Sequence, residues 1–142
     1  MQSARYDVII VGGAAVGSST AYHLAALGFP PDRVAVIERD PTYSEAATPR
    51  SLGGIRQQFT TRENMLMSRY GMEFVKSIGD HLAVDGDIPD VGWKEQGYLF
   101  LASDRGFQSL QQNHATQKSI GAQVEILAPD ALKAKFPWIN TD

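Results

Sequence analysis

The sequence predicts an α/β fold that opens on a parallel βαβ unit, and three observations carry the prediction. Val8 to Val11 is an unbroken β-branched run, Gly12, Gly13 and Gly17 follow at once, and a second apolar run, residues 34–37, ends in Glu38. A run with no polar break suits a parallel strand buried on both faces. Glycines in that place turn a strand sharply into a helix whose N-terminal N–H groups can face a pyrophosphate. Glu38 lies 21 positions after Gly17, near the spacing of ~20 at which a carboxylate accepts both ribose hydroxyls of an adenosine. Together these describe a Rossmann-like unit built to hold a dinucleotide.

The first helix is expected over residues 15–27, which are small or good helix formers, with Gly28 to stop it and Pro30-Pro31 to prevent its resumption. In the phase that ends at Gly17, the second glycine of G-x-G-x-x-G is Ala14. Its methyl crowds an approaching pyrophosphate slightly without excluding it. Gly17 and Ala21 keep the helix face small where it must lie close to the strand. Glu38 disfavours a ribose 2′-phosphate by charge repulsion, and Arg39 beside it, also a candidate for the cofactor, tempers that preference. The alternative is an ordinary βαβ unit whose glycines only make a tight turn, which leaves Glu38 without a reason.

Residues 40–58 are rich in Pro, Ser, Thr, Gly and Arg and have neither helical nor strand periodicity, as expected of a long ordered loop that contacts a ligand. Thr60-Thr61-Arg62-Glu63 has capping-box spacing, and Leu66, Tyr70, Phe74, Ile78 and Leu82 then recur at helical intervals, predicting an amphipathic helix of about five turns. Residues 85–90 read as a turn-rich connection, since a calcium loop would need ligand spacing and a terminal glutamate that are missing. Residues 97–102 read as a strand, Ser103 and Asp104 as the cap of a helix to about Ser119 ended by Gly121, residues 124–127 as a short half-buried strand, and residues 129–136 as a short helix with proline in its first turn. The change of period in the second half suggests an α+β substrate domain beginning near residue 88, with residues 1–87 belonging to the nucleotide domain and both domains incomplete.

A chain of 142 residues with 43% hydrophobic and 20% charged content can bury a core of its own. The net charge of −3 supplies no electrostatic footprint for nucleic acid or an anionic membrane. The absence of cysteine excludes disulfides, thiolate metal sites and a cysteinyl flavin link within this segment. The early apolar stretch, interrupted by Gly12 and Gly13, fits neither a signal peptide nor a membrane span, so a cytoplasmic location is expected. His23, His81 and His114 lie on separate predicted helices without metal-ligand spacing.

Three stretches carry a resemblance to a known family. They are residues 7–17 with Thr20-Ala21-Tyr22-His23-Leu24, the loop from Tyr43 to Phe59 with its Gly53-Gly54-Ile55-Arg56-Gln57 core, and residues 97–102 with 129–137. They resemble the D-amino-acid oxidase and sarcosine oxidase family of FAD-dependent oxidoreductases, the loop taking the form seen in its amine and amino-acid dehydrogenase branch. The resemblance implies FAD as cofactor and oxidation of the C–N bond of a small amine or amino acid by hydride transfer to the flavin. Gly12, Gly13, Ala14 and Gly17 would then approach the pyrophosphate, and Glu38 the ribose. Ala47, Thr48, Arg50 and Ser51 would pass the pyrophosphate and ribityl chain, and Gly53, Gly54 and Ile55 would run beside the ring. Arg56 would clamp a substrate carboxylate, with a flavin-phosphate contact or a structural salt bridge as its alternatives.

Family members are considerably longer and return to the nucleotide domain near their C-terminus. The segment alone is therefore expected to be inactive, and its open strand edges to favour self-association or a complementary C-terminal chain. Two further readings stay open: a non-catalytic fragment or subunit, and an NAD-dependent dehydrogenase, which explains the first 38 residues but not the loop after them.

Overall fold

In the computed structural model, which describes residues 5–141, strands β1 (Val8–Val11) and β2 (Val34–Ile37) pair in parallel, with Val8 opposite Val34 and Val11 opposite Ile37. Helix α1 (Ala15–Ala26) makes the crossover between them. It ends where Gly28 takes a φ of +85°, and a single 3-10 turn at Pro31–Arg33 leads into β2. The ladder is pinned at its start by Asp7 N–H donating to the Arg33 carbonyl at 2.9 Å, while the Arg33 guanidinium grips both Asp7 oxygens at 2.9 and 2.5 Å.

Burial of β1 on both faces does not hold within this segment. Side chains alternate across a strand, so Ile10 turns toward α1 while Ile9 and Val11 remain 59% and 85% exposed on the other side. One crossover helix covers one face.

The chain divides into two compact units between Gly54 and Ile55. This packing boundary is a different division from the functional one expected at residue 88. The second unit contains α2 (Arg62–Lys76), α3 (Ile78–Leu82), α4 (Asp104–Ser119) and α5 (Pro129–Lys135). Its core is small: Met65, Ala122 and Ile139 are buried, together with the polar Gln117, whose amide donates to the Phe59 carbonyl at 3.1 Å and so is satisfied. The Arg69 guanidinium donates to the Ile120 carbonyl, tying α2 to the end of α4.

Four local expectations are corrected here. The five-turn helix is broken at Ser77 (φ −108°, ψ 28°), whose hydroxyl bonds the Glu73 carbonyl at 2.9 Å, so Ile78 and Leu82 belong to α3. The side chain buried on α2 is Met65, while Leu66 and Tyr70 are 38% and 58% exposed. No cap bond forms from Thr60 or Thr61; Thr61 is the N-cap by backbone geometry alone. Residues 97–102 and 124–127 are not strands, because among the described residues no neighbouring strand pairs with them, and a strand exists only in a ladder. Helices α4 and α5 fall where the sequence placed them.

Candidate dinucleotide site and a separate arginine cleft

The turn after β1 is built from backbone. Gly12 takes a φ of +96° and donates its N–H to the Ile37 carbonyl at 2.8 Å, holding the turn against the end of β2. A Cβ on Gly17 would stand 1.8 Å from the Gly12 carbonyl oxygen, so only glycine lets α1 start this close to the strand. Ala14 is the N-cap, with φ −66° and ψ −168°, a backbone that alanine adopts without strain. The first four N–H groups of a helix have no intrahelical partner, and α1 carries no acidic residue in its first turn. That end is open to an anion.

Glu38 stands beside this turn. Its Oε2 accepts from Gly13 N–H at 2.7 Å and its Oε1 from Asp40 N–H at 2.8 Å. The Asp40 and Gly13 N–H groups hold its carboxyl below the usual carboxylate range. Each oxygen keeps a second lone pair, which is what two ribose hydroxyls require.

A cavity of about 250 Å³ opens at the start of α1, lined by Gly13, Ala14, Ala15, Ser18, Tyr43 and Thr48 among others. Of the residues expected from the sequence, the first unit thus gathers Gly12, Gly13, Ala14, Gly17, Glu38 and Thr48 around one end of α1. Others stand apart. Arg50 pairs with Glu45 at 2.5 Å and donates to the Ser44 carbonyl at 3.2 Å. Ser51 folds back onto the Thr48 carbonyl at 2.9 Å and accepts from Gly53 N–H at 3.1 Å, with Gly53 at φ +63°. Arg39, Ala47 and Gly54 are exposed and do not line the cavity.

Ile55 and Arg56 belong to the second unit, where they line a smaller cavity of about 120 Å³ with Gln58, Met72, Trp93 and Tyr98 among others. The Arg56 guanidinium lies 4.7 Å from the Phe59 ring centroid and 5.6 Å from that of Phe100. Stacking uses the face of a guanidinium and leaves its edge N–H groups for an anion. Among the described residues no carboxylate pairs with it.

Sequence reasoning missed Asp40, Tyr43, Phe59 and Phe100. A signal for the first two is present in Asp40-Pro41-Thr42-Tyr43-Ser44, since aspartate followed by hydroxyl residues two and four positions on builds a side-chain-held turn. Nothing local marks the aromatic partners of Arg56. Among the described residues, no cluster of three or more His, Cys, Asp or Glu could hold a metal, and no helix is long and apolar enough to cross a membrane.

Residues 7–142 match the model of the DAO family, described as FAD dependent oxidoreductase. The chain belongs to this FAD-dependent oxidoreductase family. It is 47% identical over 146 residues to FAD-dependent oxidoreductase domain-containing protein 1 of Xenopus laevis, covering 97% of this chain and 28% of that protein. It is 27% identical to the mitochondrial sarcosine dehydrogenase of Homo sapiens, over 96% of this chain and 14% of that protein. Among solved structures, the L-proline dehydrogenase from P. horikoshii superposes with a TM-score of 0.74 at 26% identity, over 99% of this chain and 35% of that one. The chain thus spans about a third or less of the length of these relatives. The cofactor of the family is FAD, and the residues present fit its adenosine diphosphate half: a backbone turn cleared by Gly17, an acid-free helix start, and an acceptor-only Glu38 at the end of β2.

Proposed function

We propose that this segment is the N-terminal part of an enzyme that oxidises the C–N bond of an amine or amino acid, with residues 1–87 serving FAD and residues 88–142 beginning the substrate domain. The observation that carries the reading is the Glu38 carboxylate set against Gly13 N–H at the mouth of the turn, joined to an open helix start. Relatives named for sarcosine and for L-proline support the substrate class, since both are amino acids with a secondary amine. FAD, when bound, supplies the hydride acceptor for the substrate carbon next to nitrogen.

The chain's own residues do the rest by binding. The N–H groups opening α1 meet the pyrophosphate, Glu38 meets the ribose, and Gly12 and Gly17 let backbone and ligand approach. Arg56, stacked on Phe59 and Phe100, presents its edge to the substrate carboxylate and so orients the C–N bond. Flavin released from the full-length protein, identified by spectrum and chromatography as FAD, tests the cofactor half of the reading. Turnover of secondary amino acids, with KM raised by Arg56→Lys at unchanged flavin content, tests the substrate half. A nicotinamide nucleotide in place of flavin would refute the first, and indifference of carboxylated substrates to Arg56→Lys the second.

A further inference from the structure

Asp40 builds a turn whose geometry serves one side chain. Its Oδ1 accepts from the Thr42 N–H at 3.0 Å and the Thr42 hydroxyl at 2.6 Å, and its Oδ2 from the Ser44 N–H at 3.0 Å and the Ser44 hydroxyl at 2.9 Å. Its carbonyl accepts from Tyr43 N–H at 3.0 Å. Tyr43, between these partners, has a φ of +55°, a left-handed backbone that costs a bulky residue energy and is kept here by the bonds on either side. The phenol is thereby carried over the glycine turn. Its Oη stands 3.0 Å from where a Cβ on Gly13 would be, with Glu38 Cβ at 3.3 Å and Val36 Cγ1 at 3.5 Å completing the wall. Gly13 has no left-handed φ to explain it; a Cβ there would press on Tyr43 and Glu38, so glycine leaves room for both side chains.

The hydroxyl at the end of this arrangement has no protein acceptor among the described residues, and Tyr43 is 38% exposed on the wall of the 250 Å³ cavity. No lysine or arginine lines that cavity, and Arg50 is held by Glu45. A pyrophosphate seated there therefore depends on N–H groups at the start of α1 and on hydroxyls. The Ser18 hydroxyl is already committed to the Gly13 carbonyl. Tyr43 and Thr48 remain.

We propose that Tyr43 is a cofactor-binding residue whose hydroxyl, fixed by the Asp40 turn, donates a hydrogen bond to a phosphate oxygen in the adenosine diphosphate half of FAD. The inference rests on the FAD reading of the same site and adds to it a donor outside the glycine turn. It assigns Asp40 as a positioning residue that acts through Tyr43.

The test is calorimetric titration of the full-length protein, stripped of flavin, with ADP and with adenosine. Tyr43→Phe removes the hydroxyl and keeps the ring, and should weaken ADP about five- to tenfold, the scale of one partly exposed hydrogen bond to a charged group, while adenosine binding and the melting temperature stay as in the parent protein. Asp40→Ala should reproduce the ADP loss, and the double variant should show no further loss. Equal ADP affinity in Tyr43→Phe overturns the proposal, as does an equal loss for adenosine, which would place the hydroxyl on the sugar. An unaltered parent protein that binds neither ADP nor FAD would instead refute the underlying dinucleotide reading.

Discussion

Gly17→Ala and Gly71→Ala are the same chemical change in the interior of two helices, and the structure predicts opposite signs for them. Alanine is favoured over glycine inside a helix by about 0.5–1 kcal/mol. At Gly71 in α2 an added Cβ meets nothing within 4 Å, so that gain should appear whole. At Gly17 the Cβ would lie 1.8 Å from the Gly12 carbonyl oxygen, 2.9 Å from its carbon and 3.2 Å from Ile10 Cγ2. Real Cβ contacts do not fall below 3.0 Å, so α1 must retreat from the turn by about 1 Å or more, and two of the three obstacles are backbone with no rotamer to yield. Overpacking of this kind costs roughly 1–3 kcal/mol, which exceeds the helix gain. The same retreat carries the N–H groups of the first turn out of hydrogen-bond range of a pyrophosphate, at about 1.5–3 kcal/mol for each charged bond lost. Gly17→Ala in the full-length protein should therefore lower the melting temperature and weaken FAD by about tenfold or more, whereas Gly71→Ala raises the melting temperature slightly and leaves FAD affinity alone. Thermal melts of both variants, with flavin fluorescence titrations of the apoproteins, read this directly. Equal stability and equal FAD affinity in the two would refute the close-packing argument.

Further outcomes follow from the same geometry. Glu38→Gln replaces one acceptor oxygen by a donor facing either Gly13 N–H or Asp40 N–H, so ADP affinity should fall by about tenfold; an unchanged dissociation constant would remove Glu38 from the site. The hydroxyls of Thr42 and Ser44 bring the Asp40 carboxyl down to about 2. A depressed folded-state value means its contribution is complete above the ordinary carboxylate range and is lost as pH falls from about 4 through about 2, so apoprotein melting should decline over that window, and less steeply in Asp40→Asn. Phe59→Leu, which removes the nearer ring from Arg56, should raise KM for carboxylated substrates while FAD content holds; loss of flavin instead would move Arg56 to the cofactor. Expressed alone, the 142-residue segment should self-associate in sedimentation, since Val11, Val36 and Ile37 on its two-stranded sheet are 85%, 46% and 55% exposed; a flavin-loaded monomer would contradict this.

Elements that depend on neighbours in sequence were legible, and those that depend on neighbours in space were not. β1, α1 and β2 follow from runs, caps and glycines within 31 residues of one another, and α4 and α5 from a serine, a proline and a terminal Gly121 with φ +78°. Residues 97–102 have the composition of a strand, yet composition supplies no partner: among the described residues no strand pairs with them, and the Tyr98 carbonyl accepts instead from the Gln58 side-chain amide at 3.2 Å. The break at Ser77 comes from a hydroxyl reaching back one turn, a competition that apolar periodicity does not register. Glu38 was readable as a candidate because the role proposed for it needs only a position at the end of β2. The role proposed for Tyr43 needs a left-handed residue, and it became visible only with the bonds that hold it.

The two arginines of the loop show how pairing decides what a cation can do. Both were candidates for an anionic ligand on residue type alone. Arg50 lies against Glu45 at 2.5 Å, with both side chains more than half exposed, at 58% and 59%, and an exposed pair of this kind is worth little by itself. Its positive charge is nonetheless neutralised locally, so toward a phosphate it offers less than a bare guanidinium would. Arg56 has aromatic faces beside it and no ion pair among the described residues, since Glu95, which lines the same cleft, pairs with Lys76 at 3.0 Å, so its charge is not neutralised by a direct partner while the two rings narrow the space open to it. A bidentate clamp needs a full charge and an oriented plane, and an unpaired guanidinium with two rings beside it favours Arg56 over Arg50 for the proposed clamp. On the proposed reading the first unit would meet the phosphates of its ligand with N–H and O–H dipoles, so the salt dependence of ADP binding should be shallow and that of carboxylate binding at Arg56 steeper.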